Sequence, residues 1–453
     1  DESFMKWAQP ALIDGKVRVS WGMNGNERVG NYDAINRYII GAYYNGVLGV
    51  TQNSRIANKD LSWEATEQTN FGLDLTFLDG RITFVGEYYV KNTHDLLSLE
   101  NIPSELGVSD MRINFGKIQN KGIELSVTAY PVQTKDFSWQ TTVNYSRNKN
   151  KVLKLAGGTP FVEDGKYWIE EGSPLGQWFG WNQLGIYAYD QSNAYIKNGD
   201  GSFGQRLTPV FQTDPNNYNN VVYGSDGKPI FSHYETSDGQ KYTGEIGQVT
   251  SYGQVLKGGD VIWEDRDHDG VIGDSDRKIL GQGLPNWYLG WSNYLNYKNF
   301  SLSFSFYGSF GNKIYNKQRR ELNTYASSNA TPYSSDIYKI WKYQGQITEG
   351  YSGQKANTGV QNARELSSYF LEDGDYIRLT NIRLAYSLEK KLVKKLKLTE
   401  LTVYVYGNNL LTWTNYTGYD PSSISNSNVL RPGQDNGRYP TAKEIGFGLN
   451  VNF

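Results

Sequence analysis

The chain has no cysteine, only three histidines and almost no net charge: 45 Lys and Arg stand against 47 Asp and Glu, a formal −2. The first absence removes disulfides, thiolate metal sites and cysteine nucleophiles together. His94, His233 and His268 are too scattered along the chain to suggest an imidazole metal cluster. The balanced charge leaves no basic footprint for nucleic acid. Long apolar runs are missing as well. Mean hydropathy is −0.60, and no stretch approaches the roughly 18–20 apolar residues of a membrane-spanning helix. That excludes a helical membrane protein but not a β-barrel, because alternation halves the apolar content of each crossing strand. No charged and apolar leader opens the chain at Asp1, so any signal peptide is expected outside it. No phosphate-binding glycine loop follows a strand. The acid pair Glu170–Glu171 consists of sequence neighbours, which point apart on a strand. Catalysis is therefore not expected.

What is present is aromatic and alternating. The 453 residues include 49 Gly, 35 Tyr and 12 Trp, with 14% aromatic content. In the final stretch Ile445, Phe447, Leu449, Val451 and Phe453 fall on one side, and Gly446, Gly448, Asn450 and Asn452 on the other. The same period of two predicts strands over 16–24, 62–78, 81–92, 113–130, 137–149, 287–297, 301–311, 376–388, 401–413 and 444–453. At Leu379 to Ile382 the phase slips by one residue, which reads as a bulge. Helical periodicity is almost absent, and the basic stretch Glu389 to Lys397 reads as a solvated linker rather than a single helical turn.

Connection lengths alternate. Short links fall at Asp79-Gly80 (a two-residue hairpin turn), Pro131 to Asp136, Lys298 to Phe300 and Glu389 to Glu400. Long polar stretches cover 25–61, 93–112, 150–286, 312–375 and 414–443, the third with room for a further pair of strands. Soluble domains rarely carry repeated structureless loops beyond about 12–15 residues. Outer-membrane barrels do, with short turns in the periplasm and long loops outside. Parity then places every long stretch on the cell exterior and Phe453 in the periplasm. Trp287 and Trp413 fall near exterior strand ends, and Phe137, Tyr297 and Phe300 near periplasmic ones, where interfacial rings belong. The fold class is all-β: a transmembrane antiparallel barrel spanning residues 1–453, with its largest exterior loops near 150–286 and 312–375.

Several segments resemble the SusC/RagA family of TonB-dependent transporters, in family order. They are Leu61-Ser-Trp-Glu64, Asn70-Phe-Gly-Leu-Asp74, Phe77-Leu-Asp-Gly-Arg-Ile82, Asp95-Leu-Leu97 and Asn114-Phe-Gly-Lys-Ile-Gln-Asn-Lys-Gly-Ile-Glu124. Gly259-Asp260-Val261, Glu264-Asp-Arg-Asp-His-Asp-Gly270, Asp276-Arg277 and Ile279-Leu-Gly281 follow. The last are Asp375-Tyr-Ile-Arg-Leu-Thr-Asn-Ile-Arg383, Gly407-Asn-Asn-Leu-Leu-Thr-Trp413 and Gly418-Tyr-Asp-Pro421. The resemblance implies the C-terminal part of a barrel of about 22 strands, whose plug and TonB-interacting segment are not recognisable here. Ten to twelve strands make about half of such a wall, and bare edges are untenable in lipid. The chain is thus expected to be incomplete, with remaining strands and plug supplied elsewhere. A ten-strand set closing on itself is the alternative.

The resemblance further implies outer-membrane import of glycan fragments or oligopeptides, a SusD-like surface lipoprotein as lid, and TonB acting through the absent N-terminal part. Phe453 would close the terminal strand recognised during barrel assembly, and Tyr404, Tyr406 and Asn408 would face the lumen. A siderophore or cobalamin receptor, or a calcium-stiffened adhesive barrel, are the competing expectations.

One constellation carries site chemistry. Asp265, Asp267 and Asp269 stand at positions one, three and five of a calcium-type loop. Gly270 is at six, the Val271 carbonyl at seven, and Asp276 rather than the longer Glu at twelve. The two readings are a calcium loop and a solvated Asp/Gly turn. Trp178, Phe179, Trp181 and Tyr187 crowd the same exterior stretch, where flat rings stack on sugar as substrate contacts, pack the loops together or dock a partner.

Overall fold

The computed structural model describes residues 11–26, 35–52, 55–101, 105, 108, 110–323, 335–348, 362, 364–395, 397–422 and 430–453. Ten strands form one continuous wall. They are β1 (Leu12–Asn26), β2 (Glu64–Phe77), β3 (Ile82–Asn101), β4 (Asp110–Gln133), β5 (Phe137–Lys154), β6 (Trp287–Tyr297), β7 (Phe300–Phe310), β8 (Tyr376–Ser387), β9 (Glu400–Thr414) and β10 (Glu444–Asn452). Each lies antiparallel beside its neighbour in the chain. This is the up-and-down order of a barrel. All ten coincide with the alternating segments of the sequence. A register shift between Leu379 and Asn381 confirms the bulge.

The alternation sets which way each side chain points. Val17 pairs with Leu73, Leu73 with Gly86 and Gly86 with Leu125, so one apolar row crosses four strands. The same face of β10 leaves Phe447 88% exposed, Leu449 62% and Ile445 76%. In water such a face would be an aggregation surface; in lipid it is in its proper solvent. The opposite face is polar. There Arg18 pairs with Asp74 at 2.9 Å and reaches Glu87 at 3.7 Å.

Among the described residues, β1 and β10 each have only one neighbour in the wall, so the ten strands do not close on themselves. The wall is an arc, and the closed ten-strand alternative fails.

Short and long connections alternate as expected. At Asp79-Gly80 both residues have positive φ, 55° and 82°, and Arg81 N–H donates to the Leu78 carbonyl at 3.1 Å. That is the geometry a primed two-residue hairpin turn requires. Three expectations are corrected. The stretch 93–112 is mostly strand, because β3 and β4 run to 20 and 24 residues. Only about 9–11 residues are needed to cross a bilayer. Ladder hydrogen bonds continue after the apolar alternation stops, which a hydropathy pattern cannot register. The linker 389–397 contains a short helix, Lys390–Lys395, held by burial of Val393. The stretch 150–286 adds no strand to the wall, since β5 pairs directly with β6. It folds instead into several small sheets with a core of their own.

Charge on the lipid side of a strand should be far worse than a change on the lumen side. Phe304→Arg, at mid-height of β7, should cost about 2–4 kcal/mol, whereas Ser305→Asn on the opposite face should be nearly neutral. Urea unfolding in detergent, followed by heat-modifiable gel mobility, checks the pair.

Candidate functional site

Exterior to the wall, residues 155–286 and the described residues of 311–375 pack together into one aromatic platform. Its core is sealed by Tyr167, Trp178, Trp181, Tyr187, Leu256, Val261 and Trp263 from the first segment and Tyr315, Leu366 and Phe370 from the second. Trp178 is 0% exposed, stacks on Tyr167 at 4.4 Å, and donates Nε1–H to the Lys313 carbonyl at 3.0 Å. Tyr187 is equally buried and shares a hydroxyl hydrogen bond with Tyr195 at 3.1 Å. Two guanidinium groups pack over Trp181, Arg277 at 4.8 Å and Arg364 at 4.7 Å. The expectation that Trp178, Trp181 and Tyr187 stack on substrate is therefore corrected: their faces are covered by protein. Phe179 is half-buried beneath Arg277 at 4.5 Å and beside Trp168 at 4.9 Å. Burial of such large rings is worth about 1.5–3 kcal/mol each, enough to hold loops that no regular sheet extends through.

The acidic loop is attached to this core, because Trp181 Nε1–H donates to the Gly273 carbonyl at 2.7 Å. Folding brings Asp265, Asp267 and Asp269 together, one oxygen of each within 4.8 Å of the others. Asp265 Oδ2 accepts Gly270 N–H at 2.9 Å, leaving Oδ1 buried without a hydrogen-bond partner. Asp269 accepts Val271 N–H at 2.7 Å, and Val271 itself pairs parallel with Thr250. Asp276 does not join the cluster. Both of its oxygens are used at 2.7 Å, by Arg266 N–H and Gly273 N–H, so it clamps the loop shut from beneath. Burial, then neighbouring carboxylates, push the Asp265 carboxyl above its ordinary range. Burial also raises Asp276, against backbone donors that oppose it. The donor set is all oxygen and strongly anionic, which fits a hard divalent cation. Glu170 and Glu171 are structural: one accepts Trp168 Nε1–H at 3.1 Å and the other Leu155 N–H at 2.9 Å.

On the lumen face of β9, Arg383 covers the Tyr404 ring at 4.2 Å. Tyr406 donates to Glu444 at 2.8 Å, and Asn408 donates to the same carboxylate at 2.9 Å. Gly446 and Gly448 leave room for these rings, because a Cβ at either would push the Tyr406 or Tyr404 ring aside. Phe453, just beyond β10, is 92% exposed.

Two features escaped the sequence reading. A cleft of about 400 Å³ is lined by Asn316, Arg319, Lys339, Thr417 and Tyr419, drawn from three separated segments. The other is a clasp joining the exterior loop after β9 to the wall. Arg378 on β8 meets Asp420 at 2.5 Å, both almost fully buried, and also donates to Thr412, Ser422 and Thr441. Both residues lie in motifs quoted above, but nothing in the sequence pairs them across 42 positions.

A wall with an apolar outer face, a polar inner face and a folded exterior platform defines an outer-membrane β-barrel. Comparison makes the assignment specific. The family model described as TonB dependent receptor-like, beta-barrel, matches residues 14–203. TonB-dependent receptor P39 of Formosa agariphila is 37% identical over 97% of this chain. TonB-dependent receptor SusC of Bacteroides thetaiotaomicron is 26% identical over 100% of it. The chain spans about two-fifths of the length of these relatives, 40% and 39%. A solved structure of the RagAB peptide transporter superposes over 99% of this chain and 42% of that one, with a TM-score of 0.72 at 20% identity. The chain belongs to the TonB-dependent receptor family, and its place is the outer membrane of a Gram-negative bacterium.

Breaking a buried ion pair by removing one partner costs about 3–5 kcal/mol. Arg378→Met should therefore loosen the loop over 414–443 and expose it to limited proteolysis while the strands stay folded. Burial would raise the Asp420 carboxyl, but hydrogen bonds from Ser422 and Thr441 outweigh it and hold it well below the ordinary range. A depressed carboxyl adds stability above its unfolded pKa, about 3.9, and loses it as pH falls through the lower folded value. The loop should stay protected from proteolysis at neutral pH and open only on acidification below about pH 4.

Proposed function

We propose that this chain forms part of the wall and exterior platform of a TonB-dependent importer that takes oligosaccharide fragments or oligopeptides across the outer membrane. The observation that carries the reading is the platform itself. A small chelate needs only a narrow mouth, whereas a large folded body with one sealed aromatic core suits a rigid seat for another protein. A SusD-like surface lipoprotein is the partner proposed for that seat, as lid over the polar cleft at Arg319 and Tyr419. Similarity to SusC and to a RagAB peptide transporter supports both the lid and the oligomeric cargo. Energy would come from TonB acting on a plug that lies outside these 453 residues, with further strands completing the barrel. Tyr404, Tyr406 and Asn408 would line the path.

Affinity purification of the full-length protein from its own outer membrane tests the proposal. A surface lipoprotein should co-purify in near-stoichiometric amount, and deletion of the gene should abolish growth on one polymeric nutrient. Recovery without a lipoprotein, together with loss of siderophore or cobalamin uptake, would sink it. An unchanged growth range with lost adhesion would do the same.

Calcium at the acidic loop forms the second part of the proposal, with Asp265, Asp267, Asp269 and the Val271 carbonyl as ligands and Asp276 as the clamp beneath them. An exterior site meets calcium near millimolar, so a dissociation constant of about 10⁻⁴–10⁻³ M would suffice. Its role would be stiffening, since Gly273 connects the loop to Trp181. Chelation should increase protease cleavage between 250 and 280 in the wild type. Asp267→Asn with Asp269→Asn should already show that cleavage and no further response to chelator. Equal cleavage in all conditions would leave only a solvated turn.

A further inference from the structure

The lipid-facing side of the wall carries a cluster of cations, of which Lys149 also borders a cleft against the platform residues Pro174, Gln177 and Ile279. Register places it. Tyr88, Ile123, Arg147, Trp287 and Phe310 stand side by side across β3 to β7. Trp287 stacks on Phe310 at 4.0 Å, so this row is an interfacial girdle at the exterior edge of the apolar band. One step further out, Lys121 stands opposite Lys149, with Val90 beside them. One step beyond that, Lys151 stands opposite Gln119, with Asn92 beside them. Lys121, Arg147, Lys149 and Lys151 are all exposed. Nearby carboxylates face the other way: Glu87 and Glu124 pair with each other on the lumen side. Outward positions beside the cluster on β3 and β6 hold Tyr88, Val90, Asn92, Trp287 and Leu289, none of them acidic.

Two physical arguments converge on what this face meets. Like charges directly opposite in a sheet repel and destabilise it, and the described residues provide no ion pair for Lys121, Lys149 or Lys151. A bound external anion would relieve that repulsion. Height identifies the anion. A two-residue step is about 6.7 Å along a strand, or about 5 Å along the membrane normal at a tilt of about 40°. The lysine rungs therefore lie about 5–10 Å beyond the girdle, within the headgroup layer rather than in bulk water.

We propose that Lys121, Arg147, Lys149 and Lys151 form a docking site for the phosphate groups of the glycolipid in the exterior leaflet. Arg147, at the girdle, offers a planar fork to one phosphate, and the lysines act as point charges around it. This assignment rests on which face meets lipid and is independent of what the protein transports. Bound lipid would hold the exterior ends of β3 and β4 at a fixed depth.

The full-length protein, purified and exchanged into nanodiscs doped with bisphosphorylated lipid A, provides the test, with retained lipid counted by native mass spectrometry. The wild type should keep lipid A, and a parallel preparation with dephosphorylated lipid A should not. At about a fivefold contribution per lysine, Lys121→Gln, Lys149→Gln and Lys151→Gln together should reduce retention by about a hundredfold. Heat-modifiable gel mobility confirms folding. Should the triple variant fail to fold, Lys149→Gln alone decides, with an expected loss of about fivefold. Equal retention in variant and wild type would overturn the proposal, as would equal retention of the dephosphorylated lipid. Displacement by millimolar inorganic phosphate would also overturn it, by making this a free-anion site. Loss of a dimer with lipid unchanged would do so by making the occupant a second copy.

Discussion

Inside a bilayer no water is available to hydrogen-bond a peptide group, so every backbone N–H and C=O must find its partner in a neighbouring strand. The rest of this structure depends on that constraint. It explains why the crossing segments are strands in one unbroken antiparallel ladder, each next to its neighbour in the chain. It also explains why the wall tolerates a bulge at Leu379–Asn381 but no gap. Among the described residues, the arc from β1 to β10 satisfies the constraint internally and leaves its two edges without a wall neighbour, where lipid calls for a partner strand.

Outside the bilayer the constraint relaxes and a different one takes over. The exterior segments must hold a shape without a ladder, and they do so with buried rings and charge. Trp178, Trp181, Tyr187 and Trp263 anchor many short sheets, few of which would persist alone. Arginine serves as the connector in both settings. Arg277 and Arg364 both pack over Trp181, which donates to the acidic loop. Arg378 reaches out of the wall to clasp the loop carrying Asp420. The loop after β9 is thus joined to the wall by a buried, directional contact rather than by continuous sheet. Loops arranged this way can vary in surface residues while their supports stay put.

The two faces of the wall use the same alternation for different ends. Inward positions build hydrogen-bonded networks such as Tyr406, Asn408 and Glu444, with glycine opposite each ring to make room for it. Outward positions change with height: apolar through the band, aromatic at the girdle, cationic above it. That gradient maps the solvent each residue meets.

All ten wall strands, the hairpin turn at Asp79-Gly80, the bulge and the parity of the loops were legible in the sequence. A period of two reports directly which residues share a face, and lipid makes one face uniformly apolar. The acidic triad was legible too, since its ligand spacing is local. The exterior body was not. Its short strands carry no sustained period, and whether Trp178, Trp181 and Tyr187 face solvent or core depends on segments distant in the chain, 135 residues away for the Trp178–Lys313 bond. The same holds for Asp276, which spacing offers as a ligand but which the fold turns inward onto two backbone donors. Local chemistry and periodicity are written along the chain, whereas burial and long-range pairing exist only once distant segments have met.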